Sequence, residues 1–301
     1  MPRAVILGGT GLIGRAAARR LRQAGWTVDA PGREVDREDP AALQTAMGDG
    51  ADLLVDCLCY TAAHARTLLR LARNATSTVM ISAKAVYADS AGRHVNSDEP
   101  PRFDGPVTED QPTLAPGTTD PFTREGYGPN KVAAEQTLLD SGLPITVLRP
   151  SKVHGPGNKR PHEWYFVDRV LAGHKIVLLA SCGEGVDHPT AAANLAALIE
   201  TAAHLPGRRI LNAADPDAPN GLEISRIIAR SLGHEWREIL LDHDQAGRHP
   251  WHRGFVLDTS AALALGHLPV GDYATTVQET LRELVRLRDP VSSRSWQDRP
   301  L

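Results

Sequence analysis

Tyr127 and Lys131 stand four residues apart in the run Tyr127-Gly128-Pro129-Asn130-Lys131. The chain holds five Tyr and five Lys, and random placement would yield roughly 0.08 pairs at this spacing, so the pairing is informative. On a helix, side chains four apart share a face. A free phenol has a pKa of about 10 and is a poor base at neutral pH. A neighbouring ammonium favours the phenolate, which lets the tyrosine exchange a proton with a hydroxyl or carbonyl. The pair reads as a proton-transfer centre; its chemically silent alternative is a surface pair on an amphipathic helix.

A second cluster sits near the N-terminus. Gly8-Gly9-Thr10-Gly11-Leu12-Ile13-Gly14 follows an apolar run over 4–7 and precedes a helical pattern over 13–23. Glycines in a strand-to-helix turn let the backbone approach a pyrophosphate, and the free N–H groups of the helix start favour its charge. Gly8, Thr10, Gly11, Leu12, Ile13 and Gly14 are therefore candidate contacts to a dinucleotide, NAD or NADP. The end of the next strand sets the choice: an acid there binds a ribose 2′-OH, an arginine a 2′-phosphate. The segment reads Val28-Asp29-Ala30-Pro31-Gly32-Arg33. Asp29 falls mid-strand and Arg33 takes the tip, so NADP is the expected cofactor. NAD, through Glu34 or Asp36, is the alternative.

These groups need a scaffold. Apolar runs at 4–7, 27–30, 53–57, 78–81 and 145–148 alternate with helical patterns at 13–23, 40–47, 63–72 and 130–139. Fully apolar strands alternating with helices predict a parallel sheet covered on both faces. Residues 89–126 are rich in Pro, Gly, Asp and Thr; so long an insert reads either as an active-site lid or as a mobile surface excursion. Beyond it, helices are expected at about 162–172, 192–204, 222–232 and 275–287, and strands at 176–179, 209–212 and 238–241. The expected fold is α/β, a Rossmann-type doubly wound parallel sheet (1–158) with a smaller C-terminal substrate-binding lobe (159–288). The lobe could interleave with the first domain, and a flexible tail (289–301) would follow.

Composition narrows the function. Hydrophobic residues are 42%, charged residues 23% and the formal net charge is −3, which is ordinary globular composition without the basic excess of a nucleic-acid binder. No apolar run is long enough to span a bilayer, and 4–7 is too short for a signal peptide. Cys57, Cys59 and Cys182 suit a reducing compartment as inert thiols, so a cytoplasmic location is expected. His249-Pro250-Trp251-His252 lacks accompanying Cys or carboxylates, so no metal is expected. The expected partner is a small molecule, with a homodimer left open.

Together the motifs resemble the extended short-chain dehydrogenase/reductase family, the NAD-dependent epimerases and dehydratases. The matching segments are Gly8 to Gly14, Ser82-Ala83-Lys84-Ala85-Val86-Tyr87, Tyr127 to Lys131, and the run from Leu148 to Gly157. The 163–169 run also looks like the start of the substrate lobe in one bacterial branch. The resemblance implies Tyr127 as acid/base, and Lys131 as the residue that binds the nicotinamide ribose and tunes Tyr127. It puts Leu58 and Cys59 in the cofactor cleft, and Pro150 and Val153 near the nicotinamide. It also implies a catalytic Ser or Thr four residues before Tyr87, where this chain has Ala83. Ser82 is its neighbour, expected to face the other way. Thr119, Thr123 and Lys84 are candidate replacement donors, and Arg160, Arg169 and Arg253 candidate contacts to an anionic substrate. The implied activity is that of an NAD(P)-dependent reductase, epimerase or dehydratase; a cofactor-holding cyclase or sensor without net redox is the alternative that Ala83 keeps open.

Overall fold

Strand β1 (Arg3–Leu7) is buried along four of its five residues, and β5 (Ile145–Pro150) along its whole length. Such runs fit only the interior of a sheet covered on both faces. A computed structural model describes residues 1–242, 249–251 and 254–287. The expected tail at 289–301 lies outside the described residues, as do His252 and Arg253.

The first half follows β1 with α1 (Leu12–Gln23), β2 (Thr27–Asp29), α2 (Pro40–Met47), β3 (Ala51–Asp56), α3 (Ala62–Ala72) and β4 (Ala75–Ile81). A turn at Lys84–Val86 and the insert lead to α4 (Tyr127–Leu139), then β5 and β6 (Lys152–His154). The rest comprises α5 (Trp164–Leu171), β7 (Ile176–Leu179), β8 (Pro189–Ala191), α6 (Ala192–His204), β9 (Arg209–Ala213), α7 (Gly221–Ser231), β10 (Arg237–Leu240), α8 (Ser260–Ala264) and α9 (Tyr273–Leu287). Local chemistry sets several starts. Asp39 caps α2 through the amides of Ala41 and Ala42, with Pro40 in the first turn. Asn220 and Glu223 form a reciprocal capping box on α7. Each satisfies amides that the helix cannot.

The main sheet is parallel throughout in the order β2-β1-β3-β4-β5-β9. Its order reverses at β1, and a crevice opens at such a switch point beyond the strand C-termini. One face buries Ala17, Ala18 and Leu21 of α1 with Leu195, Leu198 and Ile199 of α6. The other buries Leu43 and Met47 of α2, Leu68 of α3 and Leu138 of α4. The chain beyond residue 158 is thus divided: α6 and β9 return to this sheet. In the lobe, α5, α7, α9 and the parallel pair β7–β10 enclose Phe166, Ile224, Val277 and Trp251.

Three short elements were not expected: β6 and β8, which pair with each other, and α8. Segments of three to five residues are shorter than a period-based reading can detect. The insert is anchored rather than loose. Burial opposes ionisation of the Asp89 carboxyl, but donors from Arg102, Arg93 and Ala91 hold it well below the usual carboxylate range. Val107 and Leu114 of the insert pack with Tyr87 and Phe255.

Candidate active site at the sheet switch point

The glycine loop closes the gap between β1 and α1. Gly8 takes φ +83°, a left-handed value that suits glycine, and its carbonyl accepts from the Gly11 amide at 3.0 Å. A Cβ on Gly9 would lie 2.5 Å from the Ala30 carbonyl oxygen, and one on Gly14 would strike the Gly8 carbonyl. Gly11 starts α1 without any side-chain cap, so the first-turn amides around Leu12 and Ile13 are left for a ligand. Thr10 is exposed at the loop's tip. This cradle, which side chains would fill, fits a dinucleotide pyrophosphate.

Leu58 forms the opposite wall. Its Cγ would lie 2.9 Å from a Cβ on Gly8. Cys59 is buried beside it, and burial pushes both the Cys57 and Cys59 thiols up to about 12, so neither is nucleophilic at neutral pH. The Cys59 carbonyl accepts from Lys131 Nζ at 2.8 Å, and Nζ also donates to the Ile81 carbonyl at 2.8 Å. Lys131 therefore ties the tips of β3 and β4 together. An ammonium has three N–H donors, so one remains for a ligand.

Tyr127 opens α4, and Lys131 Nζ lies 5.9 Å from its ring centroid. The Tyr60 ring packs beside both, 4.4 Å from Nζ and 6.4 Å from the Tyr127 ring. Burial, and then Tyr60, push the Tyr127 phenol above its ordinary value. Lys131 itself faces two carbonyls, and its own pKa is lowered by burial. Burial thus favours the protonated phenol.

Around Ala83 the structure separates the candidates. Ser82 turns into the core, donating to Glu135, which also holds Arg149 Nη2 at 2.5 Å. Ala83 stays partly exposed at the strand tip. Thr123 donates its hydroxyl proton to the Asp120 carbonyl at 2.8 Å, so the expected donor to a substrate is committed to a local turn. Lys84 is ion-paired with Asp187 and lies 4.8 Å from the Phe255 ring centroid. Arg169 folds back on α5, 3.6 Å over the Tyr165 ring, and donates to the Tyr165 carbonyl. Pro150 ends β5 fully buried, and Val153 lies half-buried in β6. Among the described residues, no group of three His, Cys, Asp or Glu is placed to hold a metal, and no helix is long and apolar enough to cross a membrane.

In the turn beyond β2, Arg33 and Glu34 are both exposed. The Glu34 carboxylate accepts from the Gly32 amide at 2.6 Å, and this bond holds its pKa below the usual value. A Cβ on Gly32 would meet Thr10 Cγ2 at 2.5 Å, which puts this turn against the glycine loop. Glu34, the alternative weighed against Arg33 from sequence, is thus held beside Thr10 and the Gly32 amide. Sequence reasoning also missed Tyr60, although it directly follows Cys59, and the Arg37–Asp56 ion pair (2.7 Å) beneath the cleft.

Residues 4–188, more than half of the chain, match the NAD dependent epimerase/dehydratase family. The chain belongs to this family of NAD-dependent enzymes. No curated protein matches it in sequence. Solved structures match over nearly the full length. UDP-N-acetylglucosamine 4-epimerase from Bacillus cereus is 18% identical with a TM-score of 0.70, covering 95% of this chain and 100% of that one. The dTDP-glucose 4,6-dehydratase from Bacillus anthracis, in complex with NAD, is 16% identical with a TM-score of 0.69, covering 95% and 97%. UDP-glucose 4-epimerase from Thermus thermophilus, also with NAD, is 17% identical with a TM-score of 0.69, covering 94% and 99%. At such identities the likeness establishes the Rossmann-type fold.

Proposed function

We propose that the chain is an NAD-dependent oxidoreductase, epimerase or dehydratase acting at a hydroxyl or carbonyl of a small molecule, with Tyr127 exchanging the proton. The observation that carries this reading is Lys131, fully enclosed between the carbonyls of Cys59 and Ile81 one helical turn from Tyr127. A buried ammonium is costly, and its retention at the mouth of a glycine cradle suits a binding role. When bound, the nicotinamide supplies the hydride donor or acceptor. The chain's own residues do the rest. Lys131 offers its third N–H to a ribose, the α1 amides hold the pyrophosphate, and Tyr127 holds a proton against the substrate oxygen. The test is NADH fluorescence on binding, followed by turnover on a panel of hydroxyl and carbonyl compounds. Absence of NADH binding would overturn the reading.

Glu34 beside Thr10 favours NAD over the NADP expected from Arg33. NAD should bind at least ~10-fold tighter than NADP, about 1.4 kcal/mol, and Glu34→Gln should narrow the gap. A preference for NADP that Arg33→Ala removes would restore the arginine.

A second reading, cofactor binding without net redox, draws on Ala83, because Ser82, Thr123 and Lys84 all have partners elsewhere. Restoring the hydroxyl discriminates. Ala83→Ser adds one small group and should cost no more than ~1–2 kcal/mol in stability. We expect kcat in carbonyl reduction to rise several-fold or more, since one preorganised donor is worth ~10²–10³ in rate in the best cases. Single-turnover oxidation of NADH measures it. No oxidation by either form, with NADH bound and a broad panel tried, would favour the non-redox reading.

A further inference from the structure

Three ionisable side chains meet where the Rossmann edge faces the lobe, and the proposed mechanism uses none of them. Lys84 follows Ala83 at the tip of β4, Lys152 begins β6, and Asp187 lies just before β8. Lys84 Nζ contacts one oxygen of Asp187, and Lys152 Nζ lies 2.7 Å from the other. Lys152 also donates to the Pro250 carbonyl at 2.6 Å. Two ammonium groups thus share one carboxylate, and the triplet carries a charge of +1. Asp215 pairs with His154 at 3.0 Å, and Glu163 accepts from the Tyr273 hydroxyl at 3.4 Å, so neither acid joins the triplet.

The surroundings make this excess unusual. The Lys84 and Lys152 side chains are each 11% exposed and Asp187 16%, enough to meet a ligand and too little for water to screen the charge. The Phe255 ring lies 4.8 Å from Lys84 Nζ, and the Trp251 ring 5.3 Å from Lys152 Nζ. His162 adds no charge at neutral pH: burial first, and then the two lysines, push its pKa down to about 3. An ion triplet that only fastened two lobes together would be cheapest if neutral. A surplus ammonium beside two aromatic rings and nearly out of water is instead complemented by an anion.

The triplet lies beside the proposed reaction centre. The first turn of α4 rests on the Lys84–Val86 turn, where a Cβ on Gly128 would lie 2.6 Å from the Ala85 carbonyl oxygen. Tyr127 and Lys84 therefore leave adjoining stretches of backbone, with Ala83 beside them.

We propose that Lys84 and Lys152 form a binding site for an acidic group, carboxylate or phosphate, carried by the substrate close to its reacting hydroxyl or carbonyl. This deepens the proposed function and rests on it for the word substrate; the anion site itself does not depend on it. Asp187 holds the two lysines apart and oriented, and the incoming acid supplies the second negative charge. The substrate class is that of compact hydroxy or oxo acids and phosphorylated polyols.

Calorimetric titration with inorganic phosphate and with succinate, at constant ionic strength and saturating NAD, tests the site. We expect both probes to bind, and Lys84→Met and Lys152→Met each to weaken them at least ~10-fold. Asp187→Asn should tighten both several-fold, because it leaves the two lysines unmatched. This change of opposite sign is the diagnostic result, and near-ultraviolet circular dichroism confirms that each variant is folded. Phosphate tight but succinate weak assigns a phosphorylated substrate; the reverse assigns a carboxylic acid. No binding to the unmodified protein, equal binding by all variants, or weakening by Asp187→Asn would overturn the proposal and leave the triplet a fastening between lobes. NAD affinity is read separately in the same variants and should not change. Its absence from the unmodified protein would fault the cofactor reading, while the phosphate series would still decide the anion site.

Discussion

Tyr127→Phe is expected to lower turnover by ~10²–10⁴ while leaving NAD affinity nearly unchanged. The substitution keeps the ring between Tyr60 and the start of α4 and removes only the hydroxyl. Because burial raises the Tyr127 phenol, the group is protonated throughout the physiological range. Carbonyl reduction, which needs the proton, should therefore be flat from pH 6 to about 8. Alcohol oxidation needs the phenolate and should climb as pH rises towards the raised pKa. Steady-state rates in both directions, across pH, check both statements. Turnover of the phenylalanine variant within a few-fold of the unmodified enzyme, or an oxidation rate that falls with pH, would remove Tyr127 from the chemistry.

Glu135→Ala should cost ~3–5 kcal/mol of stability, the range for breaking a buried ion pair from one side. Glu135 sits on α4 two turns beyond Tyr127, and with Arg149 forms a pair whose side chains are 3% and 4% exposed. Arg149 also stacks 4.8 Å over the Tyr87 ring. Removing the carboxylate strands the guanidinium and takes the acceptor from Ser82 Oγ. Since Ser82 adjoins Ala83, the loss should also loosen the β4 tip that faces the substrate. Urea unfolding measures the stability, and Glu135→Gln, which keeps neutral hydrogen bonds, should cost less. Replacing both partners with apolar residues of similar volume should recover much of the loss. An alanine variant within ~1 kcal/mol of the parent would show that the pair does not clamp the sheet to α4.

The outcome at β2 shows where local reading stops. From sequence, Arg33 at a strand tip and Asp29 mid-strand point to NADP, because position along the strand is all that can be counted. Which side chain lies nearer the cradle depends on how the turn folds against Thr10, where the Gly32 amide donates to Glu34. Ser82 was more legible. Alternation along a strand sends neighbours to opposite sides, and its hydroxyl does meet Glu135 in the core. Thr123 was not, because its commitment to Asp120 arises from a turn with no periodic signature.

What the amino-acid sequence by itself determined is local and periodic. The apolar runs dictated strands buried on both faces, the spacing of Gly8 to Gly14 dictated a strand-to-helix cradle, and four-residue spacing put Tyr127 and Lys131 on one helix. Each follows from backbone geometry within a few residues. Only the tertiary structure decided which charges meet. Lys84, Lys152 and Asp187 are spread over about a hundred residues and come together because the end of β4, the start of β6 and the approach to β8 meet. Lys131 finds the Cys59 and Ile81 carbonyls because β3 and β4 pair in register. Tyr60 enters the site by packing on Lys131. Such encounters depend on chain closure over long separations, and no spacing in one sequence records them.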